Sequence, residues 1–288
     1  PILTMTLHRA ETHALAWLTL LSIPLAPVIA RLSGDMSARG LGRWWLATWL
    51  ALVTHPLLDA MTVYGTRIAL PISSQPYGVG SIFIIDPLYT LPLLVGVIAA
   101  LVSLRGLRWN RAGLMISTLY VAWSFAAQQY VTGIARDAVR AQAIPAERVL
   151  VTPTAFNTVL WRVLVMTPDA YYEGFHSLLD FDRELPLDRF ERGSALYEPV
   201  RESDRVRRVA EFSRGFFAMS EQEGRVVMHD LRMGQEPNYT FSFVVARKAG
   251  GTIAPISPEH VPIDRDARRT LQWIWRRMQG ELLPPPRL

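Results

Sequence analysis

THPLLDAMTVYG, residues 54–65, closes an apolar run with a histidine and an aspartate four residues apart. In a helix that spacing places His55 and Asp59 on one face, with Cβ atoms about 5–6 Å apart. A helix leaving hydrocarbon has reason to end in polar residues. It has less reason to end in a pair aimed the same way, so the stretch bears on both topology and chemistry.

Working outward, the apolar run belongs to a half of the chain with few charges. Residues 1–134 hold eight arginines and four acids (Glu11, Asp35, Asp59, Asp86), whereas residues 135–288 hold the remaining 22 basic and 21 acidic residues. The chain is 50% hydrophobic, more than is usual for a soluble protein of 288 residues. Four stretches, about 13–31, 41–58, 88–104 and 112–132, approach the roughly 20 apolar residues needed to span a bilayer. The expected fold is an α-helical membrane domain of about four transmembrane helices over 1–134, followed by a smaller α+β domain over 135–288.

Arginines set the expected orientation, because positive loops are retained in the cytoplasm. Arg31, Arg39 and Arg43 follow the first run, and Arg105, Arg108 and Arg111 separate the third from the fourth. With both loops inside, the amino terminus, the 59–87 loop and the polar half lie outside a bacterial inner membrane. Arg136 and Arg140 argue the other way, but charges leading a long translocated domain weigh less. No cleavable signal peptide is evident, and a chain beginning at Pro1 is expected to lack an amino-terminal segment.

In the polar half, RVLVTPTAFNTVLWRVLVM (148–166), GRVVMHDLRMG (224–234) and YTFSFVVARK (239–248) have the β-branched character of strands. Residues 133–143, 200–220 and 264–279 read as helices, the last presenting Leu271, Ile274, Trp275 and Met278 on one side. The absence of cysteine excludes disulfides, thiolate metal sites and cysteine nucleophiles. No basic domain suited to nucleic acid stands out from a net charge of +5, so nucleic acid is not an expected partner.

Placed on that topology, the rare ionisable residues of the first half gather at one level. His8 and His13 start the first run, His55 and Asp59 end the second, and Asp86 starts the third. Histidines and carboxylates without thiols suit zinc, manganese or iron, with one ion or two. His8 and His13, five apart, converge only if His8 precedes the helix. Each residue also has a plain reading: a satisfied interfacial polar group, or for Asp86 a helix cap before Pro87. Glu11 is a general base or a surface charge, and Thr12 and Thr54 could orient the histidines that follow them. His176, His229 and His260 have no partner at ligand spacing and read as structural or exposed. Arg205, Arg207, Arg208 and Arg214 read as a solvated face before a phosphate site. Asn157, Trp161 and Arg162 could meet a phosphate, but core packing around a salt bridge is at least as good an account.

HRAETHAL (8–15), THPLLDAMTVYGT (54–66) and SIFIIDPLYTLPLL (81–94) resemble three signatures of the YdjM-type family of membrane-bound metal-dependent hydrolases. The resemblance covers about residues 1–130. It implies a bacterial inner-membrane protein with a metal site at His8, His13, His55 and Asp59 and Asp86 as a further candidate. Together with the residue chemistry this gives a divalent metal, zinc first, with Asp86 completing the shell or serving as base and Glu11 as a candidate base. A Pro-Asp-x-Asp segment usual in the family is absent, and its first-motif glycine is Ala10. The family is distantly similar to helical zinc-dependent phospholipases C and nucleases. That likeness suggests membrane lipids as partners and a phosphate ester or lipid-linked molecule as substrate. The rivals are a non-catalytic membrane module, with a structural metal and a partner-binding outer domain, and a transporter. The transporter would need ionisable residues at the bilayer midplane.

Overall fold

Two units, Pro1–Gly80 and Ser81–Leu288, make up the chain in the computed structural model. The structure describes residues 11–103, 106–182, 184–262 and 266–287.

In the first unit a 3-10 turn, Glu11–His13, leads into α1 (Leu15–Leu32), and α2 (Ala38–Met61) returns antiparallel beside it. The buried residues of α1 are Leu18, Ser22, Ala26 and Ala30, a single i, i+4 stripe of mainly small side chains, while Leu20, Ile23 and Val28 point outward. Small residues inside and large apolar residues outside is the pattern of helices that associate within lipid. The Trp49 indole donates to Thr19 Oγ1 across the pair (3.0 Å). In the connection, Ser37 accepts from the Gly40 amide and donates to Asp35, which starts α2 cleanly. After α2 the chain folds back in a Thr66–Tyr77 bridge, and the Ile68 carbonyl accepts from the Leu15 amide at the start of α1.

The second unit opens with α3 (Pro87–Val102) and α4 (Gly106–Ala141). Glycine lets these two helices touch backbone to backbone. A Cβ at Gly113 would lie 2.2 Å from the Pro92 carbonyl oxygen, and one at Gly96 would lie 2.9 Å from Asn110 Cα. Above the contact, Ser117 donates to the Tyr89 carbonyl. The expected break near residue 133 does not occur, because α4 runs unbroken for 36 residues. Its last turns supply Ala127, Val131, Ile134, Ala135 and Ala138 to the core under the first sheet.

That sheet is antiparallel in the order β1 (Arg148–Pro153), β2 (Leu160–Met166), β3 (Ala170–Ser177) and β4 (Asp188–Glu191). β2 is buried along its whole length because both its faces are covered. Trp161, Val163 and Val165 meet α4, while Leu164 and Met166 join Leu231 and Tyr239 of the second sheet. A four-residue helix, α5 (Ser194–Tyr197), and α6 (Asp204–Phe212) connect the sheets. The second sheet follows in the order β5 (Phe217–Gln222), β6 (Arg225–Gln235), β7 (Asn238–Ala249) and β8 (Thr252–His260). The β5–β6 turn places Glu223 and Gly224 at positive φ, as a two-residue hairpin of this hand requires. The helix expected over 200–220 is thus only α6, and its last residues form β5. A final helix, α7 (Ala267–Met278), starts at Asp266, whose carboxylate accepts from the Arg269 amide. Its buried residues are Trp273, Ile274 and Arg277. Leu271 and Trp275, read from the sequence as sharing one side with Ile274 and Met278, are exposed.

The expected four-span membrane domain is overturned. Among the described residues only α1, with 18 residues and a mean hydropathy of 1.7, is long and apolar enough to cross a membrane. α2 is diluted by Arg39, Arg43, His55 and Asp59. α3 is apolar but has 16 residues, about 24 Å of rise, and α4 carries Arg108, Arg111, Gln128 and Gln129. The C-terminal half is not a smaller α+β appendage but a large region of two packed antiparallel sheets. The multi-pass topology, and the outer placement of the C-terminal half derived from it, lose their basis with the span count.

Within the second sheet His229 lies between two hydroxyls, with Ser220 Oγ 2.8 Å from Nε2 and Ser242 Oγ 2.8 Å from Nδ1. Burial pushes its pKa below the ordinary value, with Glu236 opposing. The unfolded chain therefore binds more protons than the folded one as pH falls through about 6.5, and stability is lost in that direction. Urea unfolding followed between about pH 7 and 5 should show this loss. In His229→Asn the slope should be shallower.

Candidate functional site

Two pieces of backbone build the cluster in the first unit. The 3-10 turn holds His13 one residue before α1 is capped, and α2 presents His55 and Asp59 a turn apart near its C-terminal end. Because the helices are antiparallel, these meet at the hairpin end opposite Arg31, Arg39 and Arg43. His13 Nε2 lies 3.3 Å from Asp59 Oδ2, and the His13 and His55 rings stand edge to face with centroids 5.1 Å apart. Thr12 Oγ1 is 2.9 Å from His13 Nδ1, so the second ring nitrogen has a partner and Nε2 is turned toward Asp59. His13 and Asp59 are half-buried and His55 is exposed, which leaves the cluster open on the His55 side. Thr54 does not orient His55, because its hydroxyl donates back to the Leu50 carbonyl (2.7 Å).

The remaining expected site residues are His8, Glu11 and Asp86. His8 lies outside the described residues. Glu11 is exposed in the 3-10 turn. Asp86 belongs to the second unit, where both its oxygens are engaged: Oδ1 accepts from the Leu88 amide at the start of α3 (3.0 Å), and Oδ2 accepts from the Tyr120 hydroxyl on α4 (2.8 Å). Thr158 Oγ1 extends this chain to the Tyr120 hydroxyl at 3.1 Å. Burial raises the Asp86 pKa above the ordinary carboxylate value, against hydrogen bonds from Tyr120 and the Leu88 and Tyr89 amides.

Two donors on a tetrahedral zinc, with bonds near 2.0–2.2 Å, sit about 3.4 Å apart. The His13–Asp59 separation suits that spacing and suits an ordinary ion pair equally. Among the described residues no group of three or more His, Asp or Glu side chains is arranged to hold a metal ion. The pair therefore fits a divalent ion in donor type and spacing, while a third ligand is not closed onto it.

Elsewhere the phosphate reading of Arg162 gives way to the salt bridge. Arg162 Nε donates to Glu173 Oε2 (2.7 Å) and Nη1 to the Leu231 carbonyl (2.6 Å), all buried between the sheets. His176 is buried 3.4 Å from Asp180, and His260 is exposed. Arg207 pairs with Asp204 and Glu211 on the solvated side of α6. Sequence reasoning missed Tyr120, whose partner Asp86 is 34 residues away, and nothing in the local pattern signals it.

No curated protein and no solved structure matches the sequence. Over residues 1–131, the stretch that includes the hairpin cluster, the chain matches the model of the YdjM inner membrane protein family, as its three motifs led one to expect.

Proposed function

We propose that the hairpin end formed by His13, His55 and Asp59 holds a divalent cation, zinc before manganese or iron, and that the protein is a membrane-bound hydrolase of phosphate esters or lipid-linked substrates. The observation that carries this reading is the approach of His13 Nε2 to Asp59 Oδ2, with the His55 ring beside it, at the end of a hairpin anchored by α1. Two histidines and a carboxylate are the ligand set of open catalytic zinc sites. A bound ion of this kind activates water near neutral pH and polarises a phosphoryl or acyl oxygen. The chain's own residues do the positioning: Thr12 fixes the His13 ring through Nδ1, Asp59 supplies the negative charge, and exposed His55 borders the open side. Glu11, two residues before His13, is the nearest acid in sequence for a proton-accepting role. With the Arg31 end of α1 retained in the cytoplasm, the cluster faces the extracytoplasmic headgroups.

A second reading is favoured by the lack of a closed three-residue group among the described residues. In it the His13–Asp59 contact is an ion pair that fastens the turn to α2, and the protein is a non-catalytic membrane module. Elemental analysis of the purified full chain beside His13→Ala, His55→Ala and Asp59→Ala variants, with phosphodiester hydrolysis assayed on all four, separates the two. The hydrolase reading expects a stoichiometric divalent metal in the parent and its loss, with activity, in the variants. Equal metal content in all four overturns it, and bound metal without hydrolysis supports the module.

A further inference from the structure

The surface around α7 breaks two rules that a solvent-facing helix ordinarily keeps. Arg268 and Arg269 stand in its first turn, where the helix dipole disfavours cations, and the Asp266 cap offsets them. Leu271 and Trp275, one turn apart, are exposed, Trp275 at 62%. On the helical wheel Arg268 lies beside Trp275, so the outward face joins an aromatic and an aliphatic side chain to cationic ones.

The loop against the C-terminal end of α7 repeats the theme. Asp180 accepts from Arg277 Nη1 (2.6 Å) and Nη2 (2.7 Å) and from the Ser177 amide (2.9 Å). Arg277 also donates to the Phe175 carbonyl, and the pair is buried. This clamp fixes the loop with Leu179 exposed and Phe181 wholly in solvent. A large aromatic side chain held outward by a buried ion pair is not a by-product of a slack loop. Leu282, in the segment after α7, is exposed as well.

We infer that α7 and the 178–182 loop form a peripheral docking surface for an anionic phospholipid headgroup layer. Trp275, Leu271 and Phe181 would enter the interface while Arg268 and Arg269 meet lipid phosphates. The inner face of α7 is taken up by the core with Leu160 and Phe175, and the apolar and aromatic side chains beside arginines on its outward face match the make-up of helices lying in the membrane plane. The lipid source is at hand, since residues 1–131 match an inner membrane protein family. The inference does not depend on the metal or on hydrolysis, so it stands or falls separately from the proposed function.

The chain contains no cysteine, so single cysteines report cleanly. The full chain would be placed in nanodiscs of phosphatidylcholine, with and without phosphatidylglycerol, with a nitroxide on Trp275→Cys, Phe181→Cys or, as a control on β7, Arg247→Cys. Collision with oxygen and with a soluble nickel chelate would then be compared. With phosphatidylglycerol, positions 275 and 181 should favour oxygen and position 247 the nickel chelate. Adding Arg268→Gln and Arg269→Gln should lower the docked-to-free ratio by about fivefold for each arginine removed. Circular dichroism should be unchanged, because neither arginine supports the helix. Labels at 275 and 181 as open to nickel as the label at 247, or shielded from both reagents as under a protein partner, would overturn the inference. Docking that ignores both phosphatidylglycerol and the two arginines would also overturn it.

Discussion

Replacing Glu173 by alanine is expected to cost about 3–5 kcal/mol of stability, the usual penalty for removing one partner of a buried ion pair. Arg162 would be left with its charge between two sheets, at 4% exposure, with a hydrogen bond to the Leu231 carbonyl but no carboxylate. Glu173 also accepts from the Glu236 amide, so the same change orphans a backbone donor in the turn between β6 and β7. Tyr171 and Tyr239 both reach Glu236, and Arg162 stacks over the Tyr239 ring, so the loss should spread across the sheet-to-sheet contact. Chemical unfolding in detergent, followed by tryptophan fluorescence, measures it. The double change Arg162→Met, Glu173→Leu should recover most of the loss, since an apolar pair of similar volume has no charge to desolvate. A single variant as stable as the parent would mean that the pair contributes nothing to holding the sheets together.

Gly113→Val is expected to be the second most damaging substitution. Alanine in place of glycine ordinarily strengthens a helix by about 0.5–1 kcal/mol. At position 113, however, the new Cβ meets the Pro92 carbonyl oxygen at 2.2 Å, and that atom belongs to the backbone of α3 and cannot swing aside. The helices must separate, with an overpacking cost of about 1–3 kcal/mol or more, and the Ser117–Tyr89 and Tyr120–Asp86 hydrogen bonds lie along the same seam. Gly133 supplies the control within the same helix, because a Cβ there meets nothing within 4 Å. Gly133→Ala should raise the melting temperature and Gly113→Val should lower it. If both shift in the same direction, the close approach is not what glycine serves at position 113.

These cases show what could be read from the residues alone. The spacing of His55 and Asp59 reports directly on a helix face, and His13 joins them from the 3-10 turn Glu11–His13 just before α1. Strand character in 148–166 and 224–248 was legible from β-branched content. The pairing of the strands into two sheets was not, because it depends on contacts as distant as Arg162 with Leu231. The four-span reading failed because runs near 20 residues were accepted as spans although α2 and α4 carry polar residues and α3 is short. α3 is apolar but short, and α4 is long but carries polar residues that serve a protein core at its far end. Asp86 was recognisable as a cap from the proline after it. Its bond to Tyr120 crosses from one helix to the next and leaves no local trace.

The unbroken course of α4 has a mechanical consequence. At about 54 Å it is a single bar, without an internal proline, gripped by α3 at one end and embedded under the first sheet at the other. A tilt of about 5° at the α3 end displaces the opposite end by about 5 Å, so a disturbance of the α3 grip reaches the sheet core as leverage without passing through a flexible joint.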